Sequence, residues 1–129
     1  MHCPQDKGSA FHRYGKNDSV AAAPEFHLKS GSPGKKIYVC SILITNPSAV
    51  VVSLNEGSSN VCATSNQAAV IGVATTGVLT QGVSLAANSG WAIGNGGGTV
   101  AQTQTASNYL CLMQSSATFL AGNISFVQQ

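Results

Sequence analysis

Residues 34–46 read GKKIYVCSILITN, and this stretch decides how the rest of the chain is interpreted. It is rich in Ile, Tyr and Val and lies between a Pro-Gly turn signal at 33–34 and an Asn-Pro break at 46–47, which predicts a β-strand. Apolar residues occupy both alternating sets of positions. Because a strand that is apolar on both sides is expected to be covered on both faces, the pattern predicts a central strand.

The remainder of the chain after residue 46 has the same character. Short apolar and β-branched clusters are separated by turns rich in Gly, Ser and Asn, and no stretch has a 3.6-residue period over the length of a helix. Strands are predicted at 49–54, 69–73, 78–80, 83–86, 91–93, 109–113 and 121–127. This pattern predicts an all-β fold, a β-sandwich or jelly-roll-like body.

Charge divides the chain into two parts. Charged residues make up 8% of the sequence, against roughly a quarter in an average soluble domain. Every Lys, Arg and His lies at or before Lys36, and Glu56 is the only charged residue after it. Residues 1–32 lack regular periodicity, apart from an alternation at 25–29 that predicts a short strand. We therefore expect an extended N-terminal arm at 1–32 and a β-sandwich body at 33–129.

Composition also argues against several classes of protein. No apolar run approaches the roughly 20 residues of a spanning helix, and residues 1–19 lack the apolar centre of a signal peptide, so no membrane association is expected. The basic residues of the arm are sparse and are interrupted by Asp6, Asp18 and Glu25. Nucleic-acid binding is therefore not expected, and a mildly cationic arm fits an acidic protein surface better.

Catalytic groups are poorly represented in the body. Glu56 is its only carboxylate and it contains no His, so neither a carboxylate pair nor a Ser-His-Asp arrangement is available there. We expect no enzymatic activity. His2, Cys3, His12 and His27 lack the regular spacing of metal ligands, so no metal or cofactor is predicted.

The four cysteines are Cys3, Cys40, Cys62 and Cys111. Cys40 and Cys111 lie in apolar strands, where free Cys commonly behaves as a small hydrophobic residue. Cys62 ends a polar loop, and a disulfide from Cys62 to Cys111 or to Cys40 would tie that loop to the core of an extracellular particle. The sequence leaves the pairing open.

Four segments together resemble a group of small β-rich proteins encoded by tailed bacteriophages. They are GKKIYVC at 34–40, GSSNVC at 57–62, NYLCL at 108–112 and ISFVQ at 124–128. The resemblance covers about residues 30–129, and the arm has no counterpart in it. Members with an assigned role are structural proteins of the virion, so the resemblance implies a capsid cement (decoration) protein on the outer capsid surface or a fibre component.

The leading hypothesis is a homotrimeric cement protein that binds the major capsid protein and links neighbouring shell subunits. The contacts are expected from aromatic and basic residues: Phe11, Arg13, Tyr14, Lys16, Phe26, Lys29, Lys35 and Lys36. Burial of an aromatic side chain contributes roughly 1.5–3 kcal/mol and an exposed ion pair about 0–1 kcal/mol, so the aromatics are expected to dominate. Removal of residues 1–30 is expected to leave a folded body that no longer binds shells.

Two other functions remain open from the sequence. A tail or head fibre component would contact a host surface through the uncharged body and would be present in far fewer copies than the shell protein. A free carbohydrate-binding module would present Trp91 or Tyr109 as a sugar-stacking platform, although lone aromatics in strands are more often core or subunit contacts.

Overall fold

The protein is all-β in its described parts, as predicted. The computed structural model describes residues 8–13, 25–60, 62, 68–71, 82–94, 98–115 and 120–129. Within these ranges the strands are β1 (Gly8–Arg13), β2 (Glu25–Lys29), β3 (Ile37–Asn46), β4 (Val50–Gly57), β5 (Ala68–Ile71), β6 (Val83–Leu85), β7 (Ser89–Ile93), β8 (Ala101–Gln102), β9 (Tyr109–Gln114) and β10 (Leu120–Gln128). The strand expected at 78–80 lies outside the described residues.

The strands pair as a nested set of antiparallel hairpins. The first strand pairs with the last, β1 with β10, and β2 pairs with β9. Inside these pairs, β3 pairs with β7 and β8, and β4 pairs with β5 and β6. Two further pairings, β3 with β10 and β4 with β9, roll the set into two five-stranded sheets. This connectivity is that of a jelly roll.

The core lies between the two sheets. We call the sheet ordered β1-β10-β3-β7, with β8 beside β3, sheet 1, and the sheet ordered β2-β9-β4-β5, with β6 beside β4, sheet 2. Their inner faces meet in one buried cluster, to which both sheets contribute: Ile37, Val39, Ile42, Ile44, Val50, Val52, Leu54, Leu85, Leu110, Leu112, Leu120 and Ile124. Aliphatic side chains from both sheets therefore hold the sandwich together by removing apolar surface from water.

A β-bulge in β3 explains why this strand is apolar at both alternating sets of positions. Ser125 of β10 pairs with Ser41, whereas the next residue of β10, Phe126, pairs with Val39. Cys40 is therefore an extra residue in β3, and it shifts the side-chain alternation by one position. As a result, Ile37 and Val39 before the bulge face the same core as Ile42 and Ile44 after it.

The expected position of β3 inside its sheet is confirmed, but the expectation that both of its faces are covered is wrong. The strand pairs with β10 on one side and with β7 and β8 on the other. Leu43 is nevertheless 49% exposed, and Thr45 is also exposed. One face of β3 is therefore open to solvent. The bulge, and not burial on both faces, accounts for the apolar residues at both alternating sets of positions.

Two neighbouring substitutions test the bulge. Ile42 is 1% exposed and Leu43 is 49% exposed. Ile42→Ala should lower the free energy of unfolding by about 2–4 kcal/mol through lost burial and a residual cavity, and Leu43→Ala by less than about 1 kcal/mol. Denaturant unfolding of the two variants, with the disulfides intact, measures both values. Equal losses would contradict the alternation that the bulge imposes.

Burial on two faces belongs instead to β4. Every residue from Val52 to Gly57 is buried. Leu54 faces the core, whereas Ser53 and Asn55 lie on the opposite face, where the register sets them beside Met113 and Cys111 of β9, which are also buried. Asn55 Nδ2 donates a hydrogen bond to Ser53 Oγ, 2.8 Å away. Sheet 2 is thus covered on its outer face around β4 and β9.

The segment expected to be an arm contributes one strand to each sheet. β1 extends sheet 1 beyond β10, with Gly8 opposite Ser125 and Arg13 opposite Leu120. β2 extends sheet 2 beyond β9, with Glu25 opposite Met113 and Lys29 opposite Leu110. The alternation at 25–29 correctly predicted a strand. These pairings tie two parts of residues 1–32 to the sheets of the body.

Candidate interaction surface

The residues expected to contact a partner separate into three groups. Phe11 and Arg13 lie in β1, opposite Gly122 and Leu120, and Phe26 lies in β2, opposite Leu112. Tyr14 and Lys16 lie outside the described residues. The structure brings the remaining three residues, Lys29, Lys35 and Lys36, together at one end of the sandwich.

We call residues 29–36, the last residue of β2 and the connection from it to β3, the lysine loop. They lie where β3 begins and β10 ends, because Ile37 pairs with Gln128. Lys35 is exposed, whereas Lys29 and Lys36 are half-buried. The Lys29 Nζ atom lies 5.4 Å from the centroid of the Phe126 ring, a cation–π distance. One connection therefore carries three cationic side chains in a protein that has few.

The lysine loop contains a tight turn at its centre. Lys35 N donates a hydrogen bond to Ser32 O, 3.0 Å away. Gly34 has φ 72°, in the left-handed region that a side chain disfavours. The Pro33-Gly34 pair therefore forms the turn that the sequence predicted, with Pro at the second position and Gly at the third, as in a type II turn.

The last residue of β10 and Gln129, which follows it, fasten one side of the lysine loop. Lys36 N donates to Gln129 O at 2.8 Å, and Gln129 N donates to Lys36 O at 3.1 Å. The Gln128 side-chain Nε2 donates to Ser30 O at 3.0 Å. The chain on both sides of the turn is thereby held against the end of sheet 1.

Residues 103–108, which connect β8 to β9, fasten the other side. Ser107 Oγ accepts a hydrogen bond from Gly34 N at 2.9 Å, and Ser107 N donates to Lys35 O at 2.8 Å. Ser107 itself has φ 73°, which costs a non-Gly residue free energy and persists only where the surroundings enforce it. A Cβ atom on Gly31 would overlap Ser107 O, so the two connections are in close contact there.

A second pair of hydrogen bonds joins residues 103–108 to the start of β3. Ile37 N donates to Thr103 Oγ1 at 2.9 Å, and Thr103 N donates to Ile37 O at 2.9 Å. Thr103 is fully buried. Because buried hydrogen bonds in a region of low dielectric constant are strong and directional, they set the position from which the lysine loop departs.

Glu56 anchors residues 103–108 from inside the sandwich. Its side chain is 1% exposed and accepts hydrogen bonds from Gln104 N at 2.5 Å, from Thr105 N at 3.1 Å and from Asn108 Nδ2 at 3.1 Å. A carboxylate is costly to bury unless such donors surround it, and hydrogen bonds to an ionised acceptor are the stronger kind. The single acid of residues 37–129 thus holds a loop in place.

The sequence prediction did not reveal this role, because the strand predicted at 49–54 ends before Glu56. The observed β4 extends to Gly57 and places Glu56 on the same side as Leu54, which faces the core. Such a side chain must either leave the core or find donors inside it. The identity of those donors depends on the contact between β4 and residues 104–108, which lie about 50 positions later.

Among the described residues, no acidic side chain is exposed beside the lysines at this end. Glu25 and Glu56 are the only acids among them. Glu25 lies at the opposite end of β2 from Lys29, and Glu56 is buried beneath its three donors. The described part of this end therefore presents cationic side chains together with uncharged ones.

Disulfides hold three of the four cysteines, namely those in the described residues. Cys62 is bonded to Cys111 with a Cα–Cα distance of 6.3 Å, so the connection after β4 is linked to β9. Cys40 is also disulfide-bonded, to a partner outside the described residues. Of the two partners that the sequence left open for Cys62, the structure pairs it with Cys111. Cys40 and Cys111 are both fully buried and are disulfide-bonded, not free.

The described residues contain no other candidate site with clear chemistry. No group of three or more His, Cys, Asp or Glu within them is arranged to hold a metal ion, and His2 and Cys3 lie outside them. Trp91 is half-buried against the core cluster, and Tyr109 is half-buried. No helix in the described ranges is long and apolar enough to cross a membrane.

Across β3, β7 and β10, the outer face of sheet 1 is a surface without charged side chains. Leu43 of β3 lies there between Asn123 of β10 and Ala92 of β7, and all three are exposed. Ser41 and Ser125 lie further along the same face, and their hydroxyl groups are 2.9 Å apart in a hydrogen bond. In the described residues, this face therefore offers small polar and apolar side chains around one exposed Leu.

Comparisons with known proteins add no assignment. No family model matches the chain, and neither a curated protein nor a solved structure shows a significant match to it. The fold, the surface and the sequence resemblance are therefore the features that bear on function.

Proposed function

We propose that this protein is a capsid cement protein of a tailed bacteriophage, which binds the outside of an icosahedral shell and stabilises it. The rigid lysine loop on an otherwise almost uncharged jelly roll is the observation that carries the proposal. A body with so little charge gives few nonspecific electrostatic contacts, so a cationic end can direct binding to one kind of surface.

The described chemistry favours binding over reaction. The carboxylate of Glu56 is engaged by three donors and is buried, so it is not presented to a substrate. Disulfides involving Cys40, Cys62 and Cys111 suit a protein that acts outside the reducing cytosol. The surface of a released particle is such an environment. Both features support a structural role.

The residues proposed to contact the shell all lie within residues 1–36. Lys29, Lys35 and Lys36 would pair with acidic residues of the major capsid protein. Phe11, Arg13, Tyr14, Lys16 and Phe26 complete the proposed set. Association into a homotrimer is part of the same proposal, and the uncharged outer face of sheet 1 suits packing between copies because it brings no like charges together. Repetition over a symmetric shell turns weak contacts into high avidity.

Shell stability tests the proposed mechanism. Particles stripped of this protein should release their DNA at a lower temperature than complete particles, because each bound copy contributes free energy only to the intact shell. Adding back the purified protein should restore the original release temperature, measured with a DNA-binding dye. Release at the same temperature with and without the bound protein would contradict a cement role.

The alternative proposal is a tail or head fibre component. Its supporting observation is the uncharged outer face of sheet 1 with exposed Leu43, which resembles a contact surface for an uncharged host structure. A fibre component would leave the DNA release temperature unchanged and would reduce adsorption to host cells when removed.

A further inference from the structure

We infer that the lysine loop is the end of the protein that docks on an acidic protein surface, and that Glu56 is a positioning residue for this contact. The inference rests on the proposed function for the identity of that surface, the outside of the shell. It adds the orientation of the bound protein and assigns a role to the one acid of residues 37–129.

The first step is that the lysine loop is preorganised. Five backbone groups of residues 30–36 bond to groups at the end of β10 or to Ser107, in addition to the internal turn. Ordering a loop on binding costs conformational entropy, and a loop that is already ordered avoids most of this cost. A loop held in this way can present Lys35 and Lys36 in one arrangement before a partner arrives.

The second step connects this arrangement to Glu56. Glu56 holds Gln104, Thr105 and Asn108. Between these residues, Ser107 makes two hydrogen bonds to the lysine loop, at Gly34 and Lys35. Loss of the carboxylate would therefore loosen residues 103–108 first and the lysine loop second, although Glu56 is buried and cannot touch a partner.

The third step concerns the chemistry of the partner. The described part of this end carries three lysines, no arginine and no exposed acidic side chain. Nucleic-acid surfaces combine dense basic patches with arginine and stacking aromatics, whereas a few lysines match a few carboxylates on a protein surface. The acidic protein surface is thus the better fit, and nucleic acid becomes an outcome of the test.

Two variants that lower the net charge equally, at opposite ends of the sandwich, test whether the lysine loop is the docking end. Lys35→Gln/Lys36→Gln removes two positive charges from the docking end and should weaken binding to stripped shells about tenfold, with a smaller dependence on salt. Ser48→Glu/Ala87→Glu lowers the net charge by the same amount at the far end of the sandwich, where both residues are exposed. This matched control should bind within about twofold of the wild type.

Glu56→Gln makes the protein more positive by one charge. Electrostatics alone would then strengthen binding to an acidic surface, whereas loss of positioning should weaken it several-fold. An amide accepts with only one oxygen, and its NH2 group would face either Gln104 N or Thr105 N, donor against donor. Asn108→Ala, which removes one of the three donors, should weaken binding less. Hydrogen exchange at Gly34, Lys36 and Ser107 should rise in both variants while exchange in β3 and β10 stays slow.

The outcomes distinguish this inference from the proposed function. Failure of the wild type to bind shells would overturn both. Wild-type binding with unchanged affinity in Lys35→Gln/Lys36→Gln would overturn the docking end alone, and tighter binding by a folded Glu56→Gln would overturn the positioning role. Binding of duplex DNA that is tighter than binding of shells, and that is lost in the same lysine variant, would replace the acidic protein with nucleic acid.

Discussion

Cys62→Ala/Cys111→Ala is expected to lower the free energy of unfolding by about 4 kcal/mol and the melting temperature by roughly 10–20 °C. The disulfide joins residues 49 positions apart, and a cross-link that closes a loop of this length removes much conformational freedom from the unfolded chain. It also links the connection after β4 to β9, on the covered face of sheet 2. Calorimetry of the oxidised wild type and the double variant measures the change.

Two controls make this result specific. Cys62→Ala alone leaves Cys111 as a thiol, and it should lose as much stability as the double variant if the bond and not a packing defect is responsible. The wild type measured under reducing conditions should be at least as unstable as the double variant, because reduction also opens the disulfide of Cys40. A melting temperature within about 3 °C of the wild type in the double variant would contradict a stabilising disulfide.

Removal of residues 1–30 is expected to have a still larger effect, namely loss of cooperative unfolding and aggregation. The sequence alone predicts that the remaining body stays folded, but the pairing of β1 and β2 changes that expectation. Without these strands, β9 and β10 become edges with unpaired N–H and C=O groups, and exposed edges promote aggregation. Circular dichroism and analytical ultracentrifugation of the 31–129 fragment test the prediction.

A shorter deletion separates the contribution of β1 to stability from that of β2. Removal of residues 1–13 eliminates β1 only and should give an intermediate loss of stability. The full chain with Cys3→Ser and Cys40→Ser is the necessary control, because both deletions also remove Cys3. A monomeric 31–129 fragment that melts like this control would show that β1 and β2 contribute little to the sandwich.

The fold class was predictable because the relevant information is local. Turn residues at regular spacing, β-branched clusters and the absence of a helical period together specify short strands, and the Pro33-Gly34 turn lies where the sequence placed it. The bulge at Cys40 was not predictable, because it depends on the register between β3 and β10, which are about 80 residues apart. The same apolar pattern therefore suggested two-sided burial of β3, which is in fact a property of β4.

The candidate site also has a part that local sequence indicated and a part that depends on the tertiary structure. Charge patterning drew attention to Lys29, Lys35 and Lys36, because positive charge ends abruptly at Lys36. Their shared location depends on β2 and β3 belonging to different sheets that meet at one end of the sandwich, which only the topology reveals. The role of Glu56 depends on contacts with residues 104–108, and Glu56 lies beyond the end of the strand predicted at 49–54.

The most direct test of the central claim is the copy number of this protein on the virus particle. Quantitative mass spectrometry of density-purified particles compares the amount of this chain with that of the major shell protein. A cement role predicts a ratio near that of the shell subunits, and a ratio many times smaller would indicate a fibre or tail role. Complete absence from the particle would contradict the assignment to the virion.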